Sequence, residues 1–313
     1  MSHGRTLPAV SVIVATHNPD ATRLTSAMDG LRRQTLPPSE WELLIVDNAS
    51  QPRIEAGDID LTWHGNAKLI SEPHLGLTAA RRTGLAESAG DVIVLVDDDN
   101  VLAKDYLQQA LCILQSHTTF GAIGGRSVGK FDAPLKHWHG EFLDLLAVRD
   151  LGDHIITSDD IHEPYPRCAP IGAGMVLRRQ AILDWLTENP DRLPPDRQGR
   201  QLTSGGDNDI VLSVLKRGWT VAYRPELTLT HLIPRSRLTA RYLGRLNYAI
   251  QRSWVEVLAR HERCPWRRIP RWTLPLRAAR AALRRKVGSG SAAFIRWCGD
   301  CGRFAAQASL PPS

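Results

Sequence analysis

The chain has 313 residues, 42% of them hydrophobic and 23% charged, long enough to bury a core as one large domain or two smaller ones. No run of eighteen apolar residues is present, which excludes a membrane-spanning helix, and the five scattered cysteines exclude a disulfide-stapled scaffold and point to reducing surroundings. The net charge of +6 is unevenly spread: residues 1–232 carry 22 Lys/Arg against 30 Asp/Glu, a net of −8, whereas residues 233–313 carry 17 against 3, a net of +14.

Met1 to Pro8 lacks the apolar core of a signal peptide, so the expected compartment is the cytoplasm. Val10 to Ala15 reads as a strand buried on both faces, followed by the polar turn Thr16-His17-Asn18-Pro19 and a helix from Ala21 to Gln34. A second strand, Trp41 to Val46, ends at Asp47-Asn48; a weaker one covers Ala67 to Ile70, and a helix follows over Thr78 to Ser88. The next strand, Val92 to Val96, runs directly into Asp97-Asp98-Asp99. Alternating βα units predict a mostly parallel sheet.

Ligands of such sheets bind beyond the carboxyl ends of the strands, and three adjacent carboxylates repel unless protonated or bridged by a cation. Oxygen ligation suits Mg or Mn, which share their coordination with substrate phosphates, so a diphosphate-bearing substrate is implied. The competing reading of the triplet is a solvated turn or a helix cap.

A helix is expected over Ala103 to Ser116, then strands at Ala122 to Gly125 and Gly172 to Leu177, with glycine where backbones approach closely. Residues 130–168 and Asn189 to Ser204 are unpatterned and read as lids or mobile loops. Asp207 to Arg217 reads as a helix with Asp207 and Asp209 in its first turn, where the helix dipole favours anions. Thr220 to Tyr223 and Leu227 to Thr230 read as two short strands, with His231 directly after. Beyond Pro234, helices are expected over Thr239 to His261 and Leu276 to Val287.

Four features stand in order: a strand plus Thr16-His17-Asn18, a strand plus Asp47-Asn48-Ala49-Ser50, a strand plus Asp97-Asp98-Asp99, and Gly205-Gly206-Asp207-Asn208-Asp209 opening a helix. Together they resemble family 2 glycosyltransferases of the GT-A fold, over roughly residues 9–235. Gly76 to Gly84 is similar to that family's Gly…Ala-Arg-Asn-x-Gly stretch, with Arg82 replacing Asn. The resemblance implies a Rossmann-like, mostly parallel sheet flanked by helices, with 1–232 as catalytic domain and 233–313 as a basic helical extension. It implies that Asp47 bonds the nucleotide base, usually uracil, that Thr16 and Asn18 line the same cleft, and that Arg81 faces the diphosphate or nucleoside. Asp97 and Asp99 match the Asp-x-Asp pair that holds a divalent metal, Mg or Mn, with His231 as third ligand; Asp98 points toward sugar hydroxyls or backbone. Asp207, or Asp209, matches the general base of an inverting transfer from a nucleoside diphosphate sugar to a glycan or lipid-linked hydroxyl, and Gly172 and Gly174 border the donor sugar.

Other readings are weaker. A nucleotidyltransferase requires a glycine-rich basic loop after the first strand, which is absent. Trp297-Cys298-Gly299-Asp300-Cys301 looks like a thioredoxin site but lacks the βαβ context. Trp138 and His139 lie in the unpatterned insert, where an aromatic could stack on a sugar ring, although a core position is the better reading of Trp138. A non-catalytic nucleotide-sugar-binding or scaffold protein remains the alternative. For the Arg/Trp-rich extension, an anionic membrane surface is favoured over nucleic acid, because no nucleic-acid motif accompanies it.

Overall fold

In the computed structural model, which describes residues 7–188 and 202–311, four strands form the parallel half of the sheet: β1 (Val10–Thr16), β2 (Trp41–Asn48), β3 (Ala67–Glu72) and β4 (Val92–Asp97). Most of the long loop expected at Asn189 to Ser204 lies outside the described residues. Alternate residues divide between two cores. Val10, Val12 and Val14 pack with Leu43 and Ile45 on one face, beneath α1 (Ala21–Arg32) and α3 (Tyr106–Ser116). Ile13, Leu44, Ile93 and Leu95 pack on the other, beneath α2 (Leu77–Glu87), α4 (Leu183–Thr187) and α5 (Gly206–Lys216). Burial on both faces is what the uninterrupted apolar runs require.

The full strand order is β3-β2-β1-β4-β8-β6-β9-β5, where β5 is Asn100–Leu102, β6 Phe120–Phe131, β8 Val176–Arg178 and β9 Thr220–Ile233; β7 (Ile156–Ser158) pairs with β9. β6 and β9 are parallel, whereas β4–β8, β6–β8, β5–β9 and β7–β9 are antiparallel, so the sheet is parallel at one half and mixed at the other. β1 lies between β2 and β4, with Thr16 opposite Asp47 and Ala15 opposite Asp97. That register gathers the ends of three strands at one edge, where ligands of open α/β sheets bind.

Two strand expectations need correction. Gly172 to Met175 is a turn, and only Val176–Arg178 pairs. The two short strands near 220 and 227 are one continuous β9, whose register slips around Pro225 against Gly124 and Arg126 of β6. Proline lacks the N–H a ladder needs, and the bulge accommodates it.

After β9, α6 (Ala240–Arg260), α7 (Leu274–Arg285) and α8 (Ser291–Gln307) fold back onto the body. α6 delivers Val257 and Leu258 to the second core. With α8 it forms a third core, in which Phe142 and Leu146 from the unpatterned insert meet Ile233, Leu238, Leu243, Leu246 and Ile295. α8 went unrecognised in the sequence because glycine depresses helix propensity. Here Gly299 and Gly302 let it approach α6 closely: a Cβ at Gly302 would collide with the Tyr248 carbonyl. Replacing a helical glycine with alanine normally stabilises by up to about 1 kcal/mol. Gly302→Ala is expected to destabilise instead, by about 1–3 kcal/mol through overpacking, as read from urea denaturation midpoints.

Candidate active site

The carboxyl end of β4 delivers Asp97, the next two residues turn, and β5 returns antiparallel to β9 with Asn100 opposite His231. That register sets His231 beside Asp99. The Asp99 carboxylate, 4% exposed, lies 3.3 Å from His231 Nε2, accepts from Asn100 Nδ2 at 3.1 Å, and pairs with Arg237 Nη1 at 3.0 Å. Asp98 accepts a hydrogen bond from the Thr16 hydroxyl. Burial, with repulsion from Asp99 and Asp97, pushes the Asp98 carboxyl up to about 6 against the opposing pull of Thr16 and Arg237.

Asp97 faces Arg81 of α2, whose Nη2 stands 3.3 Å from the carboxylate. The other guanidinium nitrogen pairs with Asp207, in the first turn of α5. Gly172 fits closely against the Asp207 carboxylate, which a Cβ at that position would strike. Thr16, Arg81, the three aspartates, Gly172, Asp207 and His231 line one cleft of ≈ 790 Å³. Leu145, Leu146, Tyr242, Leu246 and Ile250 line it too.

The expected ligand set Asp97, Asp99 and His231 is not assembled: among the described residues no group of three or more His, Cys, Asp or Glu side chains is disposed to hold a metal. The reason is local, since Arg237 and His231 already hold Asp99 while Asp97 turns toward Arg81. The donor chemistry nonetheless fits a divalent cation. Four carboxylates, Asp97, Asp98, Asp99 and Asp207, line the cleft against the guanidinium groups of Arg81 and Arg237.

Other expected site residues serve the scaffold. Asp209 is fully buried, accepting from Trp185 Nε1 at 2.7 Å and contacting Arg260 Nε and His261 Nε2 at 2.9 Å each; it points away from the cleft and cannot act as base there. Asp47, 2% exposed, accepts the backbone N–H groups of Ser50 and Ile54, so it shapes the loop after β2 while Asn48 and His17 face the cleft. Asn18 braces the same loop through Ser50 Oγ and the Gln51 N–H, and it is not part of the cleft lining. Gly174 sits behind the lining at φ +71, bonded through its carbonyl to Tyr106. Trp138 stacks on His139 with ring centroids 3.8 Å apart, outside this cleft. Arg82, the departure from the family pattern, donates to the carbonyls of Trp185, Leu186 and Glu188 and caps α4.

Sequence reasoning missed Arg237, Tyr242, Leu246 and Ile250. All four lie beyond residue 232, in the segment read as a separate basic extension. The one available signal was an arginine six residues after His231, which gains meaning only from the β5–β9 pairing.

The family model described as Glycosyl transferase family 2 matches residues 11–185. Among curated proteins, glycosyltransferase AglE of Haloferax volcanii is 31% identical over 122 residues, 38% of this chain and 40% of that one. An N-acetylglucosaminyltransferase of Rhizobium meliloti is 22% identical over 233 residues, 74% of this chain and 52% of that one. The chain thus spans about half the length, or less, of these relatives. Of solved structures, the mannosyltransferase PcManGT of Pyrobaculum calidifontis, in complex with GDP-Man and Mn2+, superposes with a TM-score of 0.57 at 20% identity, covering 97% of this chain and 87% of that one. S. aureus TarS 1–349 gives 0.50 at 16% identity, covering 96% and 90%.

Asp98 and, away from the cleft, the α8 cysteines each carry a testable expectation. In the fold, Asp98 keeps its proton up to about pH 6, whereas in the unfolded chain it releases it near 3.8, so stability falls as pH rises across that window and stays lower above it. Asp98→Asn, with chelator present, is expected to be more stable than the parent by about 1–3 kcal/mol at about pH 8 and nearly equal to it at about pH 4; a pH-independent gap in denaturation midpoints would contradict this. Cys298 and Cys301 lie inside α8, and burial pushes the Cys298 thiol up to about 11 and raises that of Cys301. Because the thiolate is the reactive form, alkylation of the native protein near neutral pH is expected to mark exposed Cys112 first and leave this pair nearly untouched, as read by mass spectrometry.

Proposed function

The chain belongs to glycosyl transferase family 2 and has the GT-A fold, and from that premise we propose that it transfers a sugar from a nucleoside diphosphate donor to a hydroxyl of a glycan or lipid-linked acceptor, with inversion. The observation that carries this reading is the joining of Asp97 and Asp207 through Arg81 at the mouth of the parallel strands. Asp207 is the general base: it takes the proton of the acceptor hydroxyl as that oxygen attacks the anomeric carbon from the face opposite the diphosphate. The missing side chain at Gly172 leaves room for that carboxylate. Arg81 presents a planar fork suited to phosphate oxygens. Drawn toward a bound diphosphate, it releases Asp207 to accept the proton.

Asp97 and Asp99 would hold a divalent cation, Mg or Mn, which supplies charge neutralisation on the departing nucleoside diphosphate. His231 and Arg237 then act behind Asp99 as its positioning partners. Thr16 fixes Asp98, and His17 and Asn48 border the nucleoside end of the cleft. The aliphatic lining from Leu145, Leu146, Leu246 and Ile250 suits an amphiphilic acceptor. No described helix is long and apolar enough to cross a membrane; the basic extension is the element proposed to bring the chain to a lipid-linked acceptor.

The test is donor hydrolysis across a panel of UDP- and GDP-sugars with Mg or Mn. Asp207→Asn is expected to lower turnover roughly 10²–10⁴-fold while donor binding, measured by calorimetry, stays within about threefold, and chelation is expected to abolish turnover in the parent enzyme. Full turnover in Asp207→Asn would overturn the assignment of the base, whereas a parent that turns over no donor of the panel would restore the non-catalytic alternative.

A further inference from the structure

Residues 263–299 contain ten Lys/Arg and no Asp or Glu. At their centre α7 packs one face against α8: Ala281 is buried, the Ala278 carbonyl accepts from Trp297 Nε1 at 2.9 Å, and Arg284 and Arg285 reach Asp300. The opposite face has no such cover among the described residues. Trp272, in the turn just before the helix, is 75% exposed, Leu276 67% and Leu283 80%. Leu276 and Leu283, seven residues apart, share one side of the helix, and Arg277 and Arg280 form the strip beside them. Beyond the helix's carboxyl end a cavity of ≈ 550 Å³, bordered by Arg284, Arg285, Lys286 and Arg296, continues the cationic surface.

We propose that α7 is a membrane-docking helix, lying in the plane of an anionic bilayer with Trp272, Leu276 and Leu283 in the interface and the arginine strip on lipid phosphates. This deepens the membrane contact proposed above without depending on the transfer chemistry. Three large apolar side chains exposed along one short basic stretch mark a contact surface that an apolar medium would cover. Tryptophan favours the headgroup level, and arginine extends to the phosphates while its stem stays apolar. An apolar stripe with adjacent basic charge supplies both attractions that reversible surface binding uses. A nucleic-acid partner would satisfy the arginines and leave the leucines in water.

The experiment uses the full chain and sedimented vesicles of phosphatidylcholine with or without phosphatidylglycerol. The parent is expected to partition onto anionic vesicles and far less onto neutral ones. The combined substitution Trp272→Ser, Leu276→Ser, Leu283→Ser alters only exposed side chains; it is expected to keep the parent's thermal unfolding and donor hydrolysis yet lose roughly tenfold or more of the vesicle partitioning. Arg277→Gln with Arg280→Gln is expected to reduce the preference for anionic over neutral vesicles. Equal partitioning of the folded triple variant overturns the proposal. So does a parent that ignores anionic vesicles, whether it instead binds a polyribonucleotide or uses the stripe to pair with a second copy in light scattering. Because donor hydrolysis is followed alongside, failure of docking is distinguishable from failure of the transferase reading.

Discussion

A guanidinium withdrawn from water must be matched by anions, and Arg81, with its side chain 3% exposed, meets that requirement by bridging Asp97 and Asp207. The two carboxylates come from distant places: one ends a central parallel strand, the other opens a helix 110 residues later. Their shared cation fixes α2, β4 and α5 around one point. Leaving such a charge unmatched costs several kcal/mol, so the position of the proposed base is secured by electrostatics before any substrate arrives. The helix N-terminus acts in the same sense, since its dipole favours the Asp207 anion alongside Arg81.

A second buried anion organises the rear of the site. Asp209, two residues on, is turned inward and ties α5 to Trp185 of α4 and to Arg260 and His261 at the end of α6. Adjacent carboxylates on one helical turn thus do different work, one facing the cleft and one joining three helices. Arg82 does likewise beside Arg81, capping α4 through three carbonyls. Asp209 and Arg82 are scaffold residues that hold the cleft-facing residues in place.

Much of this was legible in the chain. Val10 to Ala15, Trp41 to Val46 and Val92 to Val96 announce buried strands because nothing polar interrupts them, and the aspartates after β4 announce a charge problem. Asp207 was visible by its place at a helix start. What stayed hidden depends on pairing between remote segments. Asp47 and Asn18 look like cleft residues, yet both bond the tight turn after β2 and lie outside the cleft lining. Arg237 gains its role only because β5 folds back on β9, and α8 is concealed by the glycines that let it pack. Periodicity reports which face of an element is apolar; it carries no information about which remote carbonyl or carboxylate completes a side chain's bonding.

The cleft wall does not stop where the charge changes sign. Arg237 holds Asp99, Tyr242, Leu246 and Ile250 border the cleft, and Arg260 and His261 secure Asp209. The segment beyond residue 232 is therefore not separable from the cleft: a chimera joined there would carry a foreign wall and leave Asp99 and Asp209 short of partners. A crossover past His261 would keep those pairs yet part α6 from α8, whose Gly302 abuts the Tyr248 carbonyl and whose Ile295 shares a core with Leu246, so the basic extension is built into the wall of the cleft and is no exchangeable module.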